Sequence, residues 1–109
     1  MYQDQRGLRF PFDASAEIAP NSSPRALVPG RVTELSLQGC FVETSAKLDA
    51  QSLVLLKISG LDEPFEAEAT VLYARATGVG LVFREIAPKF RPVLQKWMLK
   101  LLDSQLAPI

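Results

Sequence analysis

Phe65-Glu-Ala-Glu-Ala-Thr-Val-Leu-Tyr73 decides the fold class of this chain. Phe65, Ala67, Ala69, Val71 and Tyr73 alternate with polar Glu66, Glu68 and Thr70. A period of two belongs to a strand with one face in a core and one in water. Wound as a helix, the same residues would spread their apolar side chains around the whole circumference. The polar phase is lost at Leu72, which predicts that the strand becomes covered on both faces there.

Outward from this segment the chain continues as short apolar runs separated by turn chemistry. Pro20-Asn-Ser-Ser-Pro24, Asp49-Ala-Gln-Ser52, Ser59-Gly-Leu-Asp-Glu-Pro64 and Thr77-Gly78 are the separators, and such spacing describes successive antiparallel strands. Strands are expected at about Ala14 to Ile18, Ala26 to Leu35, Gly39 to Thr44, Leu53 to Ile58 and Val79 to Arg84, besides the one at Phe65. Pro29 and Gly30 predict an edge, a bend or a bulge in the second of them.

After Ile86 the period changes. Phe90, Val93, Leu94, Trp97, Met98, Leu101 and Leu102 recur at helical spacing, with Arg91, Lys96, Lys100 and Asp103 between them, the signature of one amphipathic helix. Pro88 suits its N-terminus, and Pro92 predicts a distorted first turn or the true start. Six strands and one helix fit an all-β domain, a six-stranded antiparallel β-barrel capped by an amphipathic α-helix. The apolar stripe of that helix either covers the barrel as core or forms a face for a homodimer. The expected organisation is a single domain over residues 1–109: a flexible arm at 1–9, the barrel at 10–86 and the helix at 88–104.

Composition narrows the function classes. With 109 residues, 48% of them hydrophobic, the chain can bury a proper core. Twelve basic residues balance twelve acidic ones, so no global field recruits DNA, RNA or an anionic membrane, and any anion site is local. Leu53 to Leu56 and Met98 to Leu102 are far too short for a membrane span. One cysteine, Cys40, forms no internal disulfide, and the chain opens without a basic stretch and apolar core of a leader, so a cytoplasmic setting is expected. Histidine is absent, which removes the commonest general base and imidazole ligand and argues against an enzyme, a metal site or a cofactor.

Several other features have plain structural readings. Cys40, between Gly39 and Phe41, reads as a buried small hydrophobe. Gly78 and Gly80 lack the further glycine and lysine of a phosphate loop and read as close strand packing. Glu66 and Glu68 read as a solvated strand face.

Three elements in order carry a family resemblance: Asp4-Gln-Arg-Gly-Leu-Arg-Phe-Pro-Phe12, Glu34-Leu-Ser-Leu-Gln-Gly39 within Val28 to Thr44, and Gly78-Val-Gly-Leu-Val-Phe83. They resemble the RxxxR, [D/N]xSxxG and GxGVxF elements of PilZ domains, over nearly the whole chain. Arg9, Ser36 and Gly39 match position by position. Gln5 stands where the first arginine belongs, and Glu34 stands where aspartate or asparagine belongs. Arg6, beside Gln5, is placed to reach the same phosphate.

The resemblance implies a ligand site made of Gln5, Arg6, Arg9, Glu34, Ser36 and Gly39 for cyclic di-GMP. The arginines would contact phosphates and stack on guanine, the residue at position 34 would take a guanine edge, and Ser36 with Gly39 would complete the pocket. A guanidinium offers parallel charge-assisted donors and a flat face; glutamine at position 5 donates without charge. The implied function is a bacterial second-messenger effector in motility or biofilm regulation, whose arm orders on binding and whose altered surface is read by a downstream protein partner. The alternative, favoured by Gln5 and Glu34, is a degenerate PilZ-like adaptor that no longer binds the nucleotide.

Overall fold

The computed structural model describes residues 9–59 and 62–106. Gln5 and Arg6 lie outside these, as does the expected arm apart from Arg9. Six strands alternate inward and outward along the chain: β1 (Phe10–Pro20), β2 (Val28–Leu35), β3 (Gly39–Thr44), β4 (Leu53–Ser59), β5 (Phe65–Arg75) and β6 (Gly78–Glu85). In β4, for example, Val54, Leu56 and Ile58 are buried while Lys57 between them faces water.

Every neighbouring pair is antiparallel, and the order β1-β2-β3-β6-β5-β4 closes into a barrel. Closure runs through β1, which pairs with β2 from Phe10↔Leu35 to Ile18↔Val28 and with β4 from Ser15↔Ser59 to Pro20↔Val54. The inward residues Ile18, Val32, Leu35, Val42, Val54, Leu56, Ile58, Phe65 and Val71 are essentially sealed from solvent. Burying such a side chain fully contributes about 1.5–3 kcal/mol.

The expected barrel and helix are present, with local differences that have physical causes. β1 begins at Phe10 rather than Ala14 because its first residues pair with β2 alone; with one side unpaired, Pro11 costs no ladder bond to β4. β2 begins at Val28, since the Ala26 N–H is spent on the Ser23 carbonyl in a turn (2.9 Å). Pro29 sits just before the pairing of β2 with β3 starts at Gly30↔Thr44. The irregularity instead falls at Thr33, which has no opposite number on β3 because Val32 pairs with Val42 and Glu34 with Phe41. Leu72 is not covered on both faces: it is 49% exposed, and the β5–β6 register shifts between Val71 and Tyr73. A bulge, rather than double burial, ends the alternation.

A single 3-10 turn (Pro88–Phe90) leads into α1 (Arg91–Leu106). Pro92 is the second residue of α1, where its missing N–H has no intrahelical acceptor. Val93, Leu94, Trp97 and Met98 turn inward, and their aromatic member closes one mouth of the barrel. The Trp97 ring lies 5.5 Å from that of Phe12 and 5.8 Å from that of Phe65, and Phe65 meets Phe83 at 5.7 Å and Phe90 at 6.2 Å. The stripe is therefore core as far as Leu101, while Leu102, expected within it, is 39% exposed at its flank and Leu99 is exposed outside it. No helix among the described residues is long and apolar enough to cross a membrane.

Lys96 ties α1 to the β4–β5 connection. Its Nζ donates to Glu63 Oε2 (2.7 Å) and Asp62 Oδ2 (3.3 Å) in the β4–β5 connection. The hydrogen bond from Lys96 lowers the Asp62 carboxyl below its ordinary range, and the bond to Glu63, followed by that to Asp62, raises Lys96. These side chains are 40–51% exposed, so the pairs add little stability.

Replacing Trp97 with alanine removes the ring that bridges Phe12 and Phe65 and is expected to cost about 3–5 kcal/mol. Thermal denaturation followed by circular dichroism should show a drop of roughly 15 °C or more, whereas Lys96→Met should melt near the wild-type temperature.

Candidate functional site

The β2–β3 connection is tied by the side chain of Ser36. Its Oγ accepts from the N–H groups of Gln38 and Gly39 (both 3.1 Å) and donates to the Gly39 carbonyl (3.2 Å). The Ser36 N–H donates to the same carbonyl at 2.9 Å. Such side-chain closure is how serine holds a local turn. Ser36 is 6% exposed, the buried polar residue of the described chain, so its hydroxyl shapes the loop rather than presenting itself to solvent.

Gly39 is required by contact. A Cβ at this position would sit 1.9 Å from the Leu81 carbonyl oxygen of β6, because Gly39 pairs directly with Val82. The loop is also pinned from the far side, where the Phe83 N–H donates to the Gln38 carbonyl at 2.8 Å. Together these bonds set the Ser36–Gly39 loop against β6.

Strand register then delivers the remaining residues. Phe10 pairs with Leu35, which places Arg9 beside the entry to this loop. The bulge at Thr33 leaves Val32 and Leu35 both buried at a spacing of three and turns Glu34 outward. Arg9 and Glu34 face each other with Nη1 and Oε1 3.7 Å apart, their side chains 56% and 51% exposed. An ion pair this exposed contributes at most about 1 kcal/mol, so both partners remain available to a ligand.

These residues line one groove enclosing about 80 Å³, whose wall is completed by Phe41, Leu72, Tyr73, Gly80 and Val82. Arg9, Glu34, Ser36 and Gly39 are thus brought together, as expected from the sequence; Gln5 and Arg6 lie outside the described residues. Cys40 is also at the groove, but its side chain is buried and burial pushes its thiol up to about 12, so it stays protonated and inert.

Phe41 and Tyr73 were not legible as site residues. The period-two reading places Tyr73 in the core with Phe65 and Val71, yet the bulge makes the consecutive residues Leu72 and Tyr73 both line the groove. Tyr73 lies flat over Gly80, where a Cβ would come within 2.4 Å of its ring. Its ring meets that of Phe41 at 6.3 Å and 27°, and the Arg75 guanidinium lies 4.8 Å from its centroid. The glycine pair around Val79 was the available signal, since a glycine on an outward strand position leaves a slot for a neighbouring ring.

A family model described as PilZ domain matches residues 3–100. The chain belongs to the PilZ domain family. Solved structures agree with this PilZ fold: a PilZ domain of CeSA from a cellulose-synthesizing bacterium aligns with TM-score 0.69 and 18% identity, over 88% of this chain and 99% of that one. The PilZ domain of YcgR from Escherichia coli, solved with c-di-GMP, aligns with TM-score 0.73 and 13% identity over 94% and 95%. The Bacillus subtilis inhibitor of motility MotI/DgrA aligns with TM-score 0.75 and 15% identity; the match takes in 98% of this chain but 55% of that longer one. The sequence has no match among the curated proteins compared.

In this PilZ domain Gly39→Ala forces β3 away from β6, whereas Ser36→Ala leaves the loop backbone unsatisfied at a cost of about 1–3 kcal/mol. Thermal melts should rank the variants wild type, then Ser36→Ala, then Gly39→Ala or unfolded. Equal melting temperatures for Gly39→Ala and wild type would contradict the contact with Leu81.

Proposed function

We propose that this PilZ domain is a cyclic di-GMP effector module that reports ligand binding to a protein partner in the cytoplasm. The observation that carries the reading is the convergence of Arg9, Glu34, Ser36 and Gly39 on one groove. Ser36 and Gly39 shape the loop in any case; the exposed Arg9 and Glu34 beside it are what a guanine nucleotide would use.

Each residue has a chemical part. A phosphate offers the Arg9 guanidinium a shorter, bidentate, charge-assisted contact than Glu34 gives it at 3.7 Å. Released from Arg9, the Glu34 carboxylate accepts from the N1–H and N2–H edge of a guanine. Its additional methylene relative to aspartate lets it extend across a groove that is open at this point. Ser36 and Gly39 keep the loop low against β6 so that the base can approach.

The chain N-terminal to Arg9 carries Arg6 and Gln5. In this reading it folds over the bound ligand, Arg6 supplies the charge that Gln5 lacks, and the rearranged surface is what the partner recognises.

Isothermal titration calorimetry with cyclic di-GMP at moderate salt tests the assignment. Saturable binding is expected, weakened at least roughly tenfold in Arg9→Ala with an unchanged melting temperature, and absent with cyclic di-AMP. No heat at high micromolar cyclic di-GMP would contradict the proposal and leave the domain as an adaptor that recognises protein alone.

A further inference from the structure

We infer that Arg75, held over the ring of the groove-lining Tyr73, is a second cationic contact for the ligand, beside the groove rather than in its lining. The inference rests on the cyclic di-GMP reading and adds to it a residue pair outside the motif positions.

The geometry is built across three strands. Phe41 on β3 and Tyr73 on β5 both pair with Gly80 on β6. The missing side chain at Gly80 is filled by the Tyr73 ring, so the tyrosine is seated flat on the barrel rather than standing free. Phe41 supports it from the other side at 6.3 Å. Gly80 is two residues from Val82, the partner of Gly39, which sets the aromatic row roughly 7 Å along the strands from the Ser36–Gly39 loop.

Arg75 emerges two residues beyond Tyr73, near the end of β5, and folds back so that its guanidinium lies over the Tyr73 ring at 4.8 Å. A cation over an aromatic face is attracted by the ring quadrupole, and that contact restricts a side chain which would otherwise lose considerable rotamer freedom on binding. One guanidinium face rests on Tyr73. The other face and the edge donors remain for a ligand, the face for stacking on a purine and the edge for a phosphate.

The arrangement also accounts for a chemical shortfall. A dianionic ligand is met on the Arg9 side by a wall that carries Glu34, and the motif position at Gln5 is uncharged. Arg75 places positive charge beside the Tyr73 wall, outside the motif positions. Tyr73 is then a positioning residue, acting through Arg75.

Calorimetric titration with cyclic di-GMP across a salt series, on wild type, Arg9→Ala, Arg75→Gln, Arg75→Lys, Tyr73→Phe and Tyr73→Leu, decides the matter, with melting temperatures measured in parallel. Arg75→Gln should bind roughly tenfold to a hundredfold more weakly at unchanged melting temperature and with a shallower salt dependence. Arg75→Lys should recover part of the loss, Tyr73→Phe should match wild type, and Tyr73→Leu should follow Arg75→Gln. Should Tyr73→Leu not fold, Arg75→Gln at its exposed position still gives the answer. Wild-type affinity in Arg75→Gln, alongside loss in Arg9→Ala, would overturn this inference while leaving the cyclic di-GMP reading intact. No binding by wild type would overturn both.

Discussion

Strand β1 is hydrogen-bonded on both flanks, to β2 from Phe10 to Ile18 and to β4 from Ser15 to Pro20, and this double pairing is what closes the sheet. Without it the first and fourth strands would be open edges, and Ile18, Val54 and Leu56 would lose the enclosure that seals them. The same pairing fixes a register, and in a barrel with one buried face a slip of one residue would turn every inward side chain outward. Arg9 is at the groove because Phe10 is locked to Leu35. Site and core are thus consequences of one constraint.

Within that frame the site is made by departures from regular pleating. The extra residue at Thr33 turns Glu34 outward, and the shift after Val71 puts Leu72 and Tyr73 on the same side. Two bulges on opposite walls of one groove re-aim the side chains that a ligand would touch, a recurrent use of bulges near functional sites. Gly39 and Gly80 supply the complementary feature, since each omits a side chain where backbone or ring must pass close.

The fold was legible because its signals are local and periodic. Alternation in Phe65 to Val71 and helical spacing from Phe90 to Leu101 mark elements whose burial follows the pattern. The start of β1 was placed at Ala14 rather than Phe10, because its first residues pair with β2 alone, which no local pattern shows. Arg9, Glu34, Ser36 and Gly39 were named only through the resemblance of their elements to PilZ motifs, and one groove gathers them. The placement of Phe41, Tyr73 and Arg75 was not legible, because it depends on β3, β5 and β6 meeting at Gly80, and a bulge reverses the phase that sequence alone assigns to Tyr73.

The central claim is that one groove, bounded by the Ser36–Gly39 loop and the Tyr73 wall, receives the ligand. Backbone amide shifts of the isotope-labelled protein, followed by NMR during titration with cyclic di-GMP, test it most directly. The account predicts changes concentrated at Arg9, at residues 34–41, 72–75 and 80–82, with Lys47 to Ser52 and the outer face of α1 around Leu99 unmoved. Changes concentrated at those distant residues, or none at saturating ligand, would contradict it.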